Sequence, residues 1–249
     1  GGRSYHGLSP RPYRQWQRRS ARMRGLFKPS FPVSHTRIKI CGITRPEDAL
    51  VAVASGADAI GLVFYAGSKR AVSTDVAAEI AQAVPPFVTV VALFVDELVE
   101  EIERIVTTVP IDMIQFHGDE SAAFCRQFHR PWIKALRVRP GLDVAAACND
   151  YGGARGLLLD SWRDGIPGGT GESFDWRLAP DQPGLPVVLA GGLHPGNVGD
   201  AVRQVRPAAV DVSSGVESSP GIKDADQIRQ FIAAVRAADQ IMDETSYDQ

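Results

Sequence analysis

Eight short runs of β-branched and apolar residues, separated by amphipathic windows over about 200 residues, constrain this chain more than any other feature. The runs are Arg37–Cys41 (RIKIC), Ala59–Phe64 (AIGLVF), Val88–Phe94, Asp112–Phe116, Trp132–Arg137, Gly156–Leu159, Pro186–Ala190 and Ala208–Val212. Each is bounded by Gly, Pro, Asp or Ser, as strands commonly are. Between several of them the spacing predicts helices over 46–54 opened by Thr44, 75–83 opened by Thr74, 97–108, and 225–238 opened by Asp224. Near-continuous apolar strands joined through helices belong to a parallel sheet buried on both faces. Eight such units, with no second domain's worth of spare chain, fit an α/β single-domain (β/α)8 TIM barrel better than an open doubly wound sheet. In either fold the chemistry is expected just beyond the carboxyl ends of the strands.

The termini differ from this pattern. The segment 1–37 holds nine Lys or Arg and no acid, which leaves 18 basic and 29 acidic side chains beyond it, a net charge of −11. An acidic body offers little to replace the counterions of a nucleic acid, so no nucleic-acid partner is expected for it. Residues 1–36 show no sustained apolar periodicity and are interrupted by Pro10, Pro12, Pro29 and Pro32, which predicts a disordered basic N-terminal extension. A nucleic-acid arm, an organellar transit peptide, an anionic-membrane anchor and a vector-derived or upstream-translated extension all match such a composition. The barrel is expected over 37–238, followed by a frayed acidic tail over 239–249 with four acids and no base. No apolar run approaches the roughly 18–20 residues of a membrane-spanning helix. The three cysteines, Cys41, Cys125 and Cys148, form no CxxC pair, which points away from a disulfide scaffold or zinc ribbon and toward a reducing, cytoplasmic compartment.

Read at the strand tips, the sequence offers several chemical groups. Cys41 ends the first run, where a thiol at a barrel mouth can act as a nucleophile or proton acceptor; the competing reading is a small buried hydrophobe. Lys69 and Arg70 lie in the loop after the second run, and an Arg there can clamp a carboxylate through two parallel hydrogen bonds. Asp160 ends the sixth run, where burial could hold it protonated as a general acid, or where it could cap the next helix. Glycine-rich turns follow at Gly168-Gly169-Thr170-Gly171, Gly191-Gly192 and Ser213-Ser214-Gly215, and the last two match the phosphate site that recurs after the final strands of such barrels. Together they make a phosphorylated small molecule the expected ligand. His117 stands at a mouth without a ligand-spaced partner, so a hydrogen-bonding role is favoured over metal binding. The absence of H-E-x-x-H, G-x-S-x-G and Walker strings weakens the metalloprotease, serine hydrolase and NTPase readings.

From about Arg37 to Ala238 the chain resembles the phosphoribosylanthranilate isomerases. The resemblance rests on Lys39-Ile40-Cys41-Gly42-Ile43-Thr44, Gly61-Leu62-Val63-Phe64 with Ser68-Lys69-Arg70, Gln115-Phe116-His117-Gly118, Asp160-Ser161, Gly168-Gly169-Thr170-Gly171, Ala190-Gly191-Gly192-Leu193-His194-Pro195-Gly196-Asn197-Val198 and Asp211-Val212-Ser213-Ser214-Gly215-Val216-Glu217. It implies a (β/α)8 barrel that performs an Amadori rearrangement in tryptophan biosynthesis with no metal and no organic cofactor. By the same resemblance Cys41 is the general base and Asp160 the general acid, while Arg70 holds the anthranilate carboxylate. Gly169, Gly171, Gly191, Gly192, Ser213, Ser214 and Gly215 cradle the phosphate. A monomer or a homodimer is expected, with no membrane partner. The alternatives are a related phosphoribosyl sugar isomerase of histidine biosynthesis, whose members resemble an arrangement with Asp where Cys41 stands, and a nucleic-acid-binding module acting through the basic extension.

Overall fold

The computed structural model describes residues 35–139, 141–161, 176, 179 and 184–247. The basic segment 1–34 and the Gly168–Gly171 turn, with Gly169 and Gly171, lie outside the described residues.

Eight parallel strands close into a barrel in chain order. They are β1 (Arg37–Cys41), β2 (Ala59–Val63), β3 (Thr89–Phe94), β4 (Met113–Phe116), β5 (Trp132–Val138), β6 (Leu157–Ser161), β7 (Val187–Leu189) and β8 (Ala209–Val212). Each coincides with one of the eight apolar runs to within one or two residues at either end. The described helices are α1 (Pro46–Ala54), α2 (Thr74–Ala83), α3 (Val99–Thr108), α4 (Ala122–Cys125), α5 (Val144–Asp150), α6 (Val198–Val205) and α7 (Ala225–Tyr247). After β8 come a 3-10 turn (Ser214–Val216) and a short antiparallel hairpin, β9 (Glu217–Ser219) with β10 (Ile222–Lys223).

Strand alternation divides the core into two layers. On β1, Ile38 and Ile40 point outward into the cluster shared with Ala49, Ala52, Ile228 and Phe231 of the flanking helices. Lys39 and Cys41 occupy the other face, where Cys41 packs with Val63 and Leu93 inside the barrel. Phe116 anchors the outer layer on β4, with ring contacts to Phe124, Phe128 and Trp132 at 5.4–6.0 Å between centroids.

Two helix caps differ from the sequence expectation, and α3 begins at Val99 rather than at 97. Arg45, not Thr44, occupies the position before α1, and Pro46 sets the first turn. The Thr44 hydroxyl instead donates to the Gly221 carbonyl and ties the β1–α1 loop to the hairpin. Ser73, one residue ahead of Thr74, caps α2 by accepting from the Val76 N–H. Asp224 does cap α7, accepting from the N–H groups of Asp226 and Gln227 at 2.9 and 3.0 Å.

The end of the chain also departs from the expected frayed tail. The last helix continues past Ala238 to Tyr247, and Asp239 within it is buried. Its carboxylate accepts from the Thr36 N–H at 2.9 Å and from the Thr36 hydroxyl at 2.7 Å, while Arg236 donates to the Thr36 carbonyl. Thr36, only 3% exposed, therefore belongs to the barrel and not to the extension. Removing residues 239–249 strands two buried donors, each worth roughly 1–3 kcal/mol. Urea unfolding should show the truncated chain destabilised by at least about 1 kcal/mol; unchanged stability would contradict this clamp.

Candidate active site

The mouth is built first from β1. Lys39 and Cys41 are two residues apart on one strand and so share the inward face. Room for both comes from β2, where Gly61 lies in register with Cys41. A Cβ on Gly61 would sit 2.7 Å from the Cys41 Sγ and 3.1 Å from the Lys39 Nζ, so any side chain there would displace them. On the other side β8 sets Asp211 in register with Lys39, and Nζ meets Oδ1 at 2.9 Å. Both members of this pair are buried, at 5% and 8% exposure.

This setting pulls on the thiol in two directions. Burial pushes the Cys41 thiol above its ordinary pKa, with Asp211 acting the same way, while Lys39 and Lys223 pull it back without prevailing. Burial also works against the Lys39 ammonium, but the charges of Asp211 and Cys41 and the hydrogen bonds to them outweigh it and hold its pKa above the ordinary value. In the free protein Cys41 is thus a thiol with two cations nearby.

Across the ring, with β7 and β8 between, β6 carries Asp160 one residue before its end, 5% exposed. Its Oδ1 accepts from the Ser161 N–H at 2.8 Å and its Oδ2 meets the His117 Nε2 at 3.1 Å. His117 in turn contacts the Gln115 side-chain nitrogen through Nδ1 at 2.8 Å. With the amide in this orientation Nδ1 accepts, so a neutral ring carries its hydrogen on Nε2 and donates to Asp160. Gln115 Oε1 has no partner among the described residues. Turning the amide would let Oε1 accept from Nδ1–H and free Nε2 to accept from a protonated Asp160. His117 thus has the hydrogen-bonding place that the sequence favoured for it. The backbone around it is held by a buried ion pair: Lys134 Nζ donates to the carbonyls of Phe116 and Gly118, and Glu120, 3.1 Å from that Nζ, accepts from the Gly118 N–H.

The glycine turns after β7 and β8 meet at the same rim. Gly191 and Gly192 both have positive φ, 80° and 64°, and a Cβ on Gly191 would overlap the Ser161 N–H beside Asp160. A Cβ on Gly215 would overlap the Leu193 carbonyl, so the two turns are in contact. Ser213 and Ser214 lead into the 3-10 turn beside them.

Arg70 reaches this rim from the loop after β2, and its guanidinium is already engaged. Nε and Nη2 each meet a carboxylate oxygen of Glu217 at 2.8 Å. Lys223 Nζ donates to Glu217 Oε1 at 2.8 Å and to the Ser213 carbonyl at 3.1 Å. The hydrogen bonds from Arg70 and the charge of Lys223 overcome the effect of burial and lower the Glu217 pKa below the ordinary carboxylate value. The structure thus brings Cys41, Asp160, Arg70, Gly191, Gly192, Ser213, Ser214 and Gly215 to one end of the barrel. It adds Lys39, Asp211, Gln115, Glu217 and Lys223, which the sequence did not single out. Cys125 and Cys148 lie buried in α4 and α5, away from the mouth.

The fold and this mouth define a (β/α)8-barrel enzyme equipped with groups for proton transfer. The family model described as N-(5'phosphoribosyl)anthranilate (PRA) isomerase matches residues 38–234. An N-(5'-phosphoribosyl)anthranilate isomerase of Pseudomonas putida (strain W619) is 59% identical over 206 residues, covering 83% of this chain and 100% of the relative. One from Pseudomonas aeruginosa (strain LESB58) is 60% identical over 201 residues, covering 81% and 95%. The phosphoribosyl anthranilate isomerase structure from Thermotoga maritima has a TM-score of 0.76 at 44% identity, covering 81% of this chain and 99% of its own. A structure of such an isomerase in complex with reduced 1-(o-carboxyphenylamino)-1-deoxyribulose 5-phosphate has a TM-score of 0.73 at 43% identity, with the same coverage. The chain belongs to the N-(5'-phosphoribosyl)anthranilate isomerase family.

The balance between burial and cations at Cys41 is open to direct measurement. In protein labelled with 13C-cysteine, the Cys41 Cβ resonance should titrate with a midpoint above the ordinary thiol value of 9.0. A midpoint below 9.0 would show that the cations, and not burial, control the free thiol.

Proposed function

We propose that Cys41 and Asp160 carry out the family's reaction, the Amadori rearrangement of N-(5'-phosphoribosyl)anthranilate to 1-(2-carboxyphenylamino)-1-deoxyribulose 5-phosphate in tryptophan biosynthesis. The observation that best supports this assignment is the position of the two side chains, a buried thiol and a buried carboxyl at the tips of β1 and β6 on opposite sides of one mouth. Protonated Asp160 gives its proton to the furanose ring oxygen as the C1'–O bond breaks. The product is a ring-opened cationic Schiff base, whose positive charge acidifies the C2' hydrogen. That charge also supplies what the free thiol lacks, because a cation beside Cys41 favours the thiolate. Cys41 then removes the C2' proton, and the electron pair of that bond passes to the C1'–N unit and neutralises it. The resulting enolamine tautomerises to the ketose.

Binding is assigned to the rest of the rim. Arg70 takes the anthranilate carboxylate, and the backbone N–H groups of Gly191–Gly192 and Ser213–Gly215 face the phosphate, to which Gly169 and Gly171 are also assigned. The same reading puts the protein in the cytoplasm as a monomer or homodimer. Among the described residues no helix is long and apolar enough to cross a membrane.

Fluorescence measurements of phosphoribosylanthranilate turnover test the roles. Cys41→Ser and Asp160→Asn should each retain the fold and lower kcat at least about a hundredfold, the scale of general acid–base catalysis. Near-normal turnover in either variant removes that residue from the mechanism. Arg70→Ala should act mainly on KM, because the carboxylate keeps its charge throughout and is bound alike in ground and transition states. The expected loss is about ten- to a hundredfold in kcat/KM. A collapsed kcat at unchanged KM would place Arg70 at the reacting centre instead. Deleting residues 1–34 should leave these constants unchanged if the basic segment is not part of the enzyme.

A further inference from the structure

We propose that Glu217 and Lys223, paired across the hairpin that follows β8, form a device that positions Arg70 and so sets the preference for a carboxylated aryl substrate. The inference rests on the assignment of Arg70 to the substrate carboxylate.

The hairpin register sets Glu217 directly opposite Lys223. Their side chains are almost fully removed from water, at 5% and 0% exposure, whereas Arg70 keeps 17%. Of the three groups, the arginine is the one that reaches the open mouth. A guanidinium is planar and offers five N–H donors. Glu217 uses one edge, the Nε–H and one Nη2–H. The opposite edge, with the Nη1 hydrogens and the second Nη2 hydrogen, has the geometry for a second bidentate carboxylate.

Charge explains why the anchor needs a lysine. An Arg70–Glu217 pair alone would be neutral and would present no net attraction to an arriving carboxylate. Lys223 cancels the Glu217 charge, so the trio carries a net +1, matched to one carboxylate. In a buried site that difference is screened far less than in water.

The device is also mechanically fixed. Lys223 N–H donates to the Asp48 carboxylate at 3.1 Å, and that carboxylate is gripped by the Arg45 guanidinium at the start of α1. Thr44 holds the Gly221 carbonyl at the hairpin turn, and the Asp224 N–H closes the base of the hairpin on Val216 at 2.9 Å. The arginine stem crosses Gly42, the residue after Cys41, which has a φ of 72°; a Cβ there would lie 2.5 Å from the Arg70 Cδ. The hairpin thus delivers the carboxylate-binding group across the tip of the strand that carries the thiol.

The opposite role for Glu217 is that of a competitor, an internal carboxylate that the substrate must displace from Arg70. Kinetics on the full chain separate the two, using phosphoribosylanthranilate and an analogue built on aniline, which lacks the carboxylate. Glu217→Asp keeps all three charges and withdraws the carboxylate from Arg70 by one methylene. Lys223→Met brings the trio to net zero. Each should raise KM for the carboxylated substrate about tenfold or more, with the change in kcat much the smaller of the two. With the aniline analogue each should shift KM less than about twofold, and in an Arg70→Ala background each should lose its effect on the carboxylated substrate. A fall in KM for Glu217→Asp would make Glu217 a competitor and overturn the proposal. An effect that persists undiminished in the Arg70→Ala background, or that is equal for the two substrates, would also overturn it. An Arg70→Ala variant with unchanged KM is a separate failure, that of the Arg70 assignment itself. Because Glu217→Asp preserves the buried charges, it reads the geometry even if Lys223→Met does not fold.

Discussion

The barrel closes where β8 pairs with β1, and at that seam Lys39 lies opposite Asp211 with their charged atoms 2.9 Å apart. Desolvating an ammonium and a carboxylate costs several kcal/mol each, and their mutual bond offsets that cost only with good geometry. Deleting one partner leaves the other charged and buried, at a cost of about 3–5 kcal/mol. The pair is thus an expensive way to fill a barrel interior that Val, Ile or Leu fill elsewhere. In return it places a cation against the Cys41 thiol two residues along the same face, with Gly61 clearing the space between them. If the seam shifted by one residue, the charges and the thiol would turn into the helix layer.

The rest of the mouth is organised around this side of the ring. Lys39, Lys223 and Arg70 gather near β1 and β8, and each is paired with an acid in a way that leaves the group slightly positive. The far side, at β4 and β6, carries Asp160, His117 and Gln115, a hydrogen-bonded chain rather than a cluster of cations. An anionic substrate would meet complementary charge on one side and the buried Asp160 carboxyl on the other. The thiol on the near side is kept protonated by burial in the resting protein; under the proposed mechanism a cationic intermediate favours its ionisation. On the far side the Lys134–Glu120 pair fixes the backbone on both sides of His117.

Much of this architecture was legible in the sequence because it is local. RIKIC, AIGLVF and the other apolar runs mark the strands directly, and Cys41, Asp160, Arg70 and the Gly191 and Ser213 turns are found by looking at strand ends and the loops just beyond them. The groups that were missed depend on contacts distant in the chain. Lys39 and Asp211 are 172 positions apart, and Arg70 and Glu217 are 147 apart, so their pairing appears only once the barrel is closed. A signal was present all the same: a lysine at the third position of RIKIC and an aspartate within AAVDV are charges at buried strand positions, where they need a partner. Residue type alone makes Thr44 and Thr74 expected helix caps, yet the Thr44 hydroxyl donates to the Gly221 carbonyl, and Ser73 caps α2 instead. The composition of 239–249, four acids and no base, predicts a tail from Asp239 onward, whereas the Asp239 carboxylate accepts from the Thr36 N–H and hydroxyl.

The assignment of base and acid is tested most directly by a primary kinetic isotope effect with substrate deuterated at C2', measured on the wild-type chain, Cys41→Ser and Asp160→Asn. If Cys41 removes that hydrogen, Cys41→Ser makes proton abstraction the slow step and enlarges the effect on kcat. If Asp160 opens the ring, Asp160→Asn makes ring opening slow and suppresses it. The reverse pattern, or an effect unchanged in Cys41→Ser, would contradict the account.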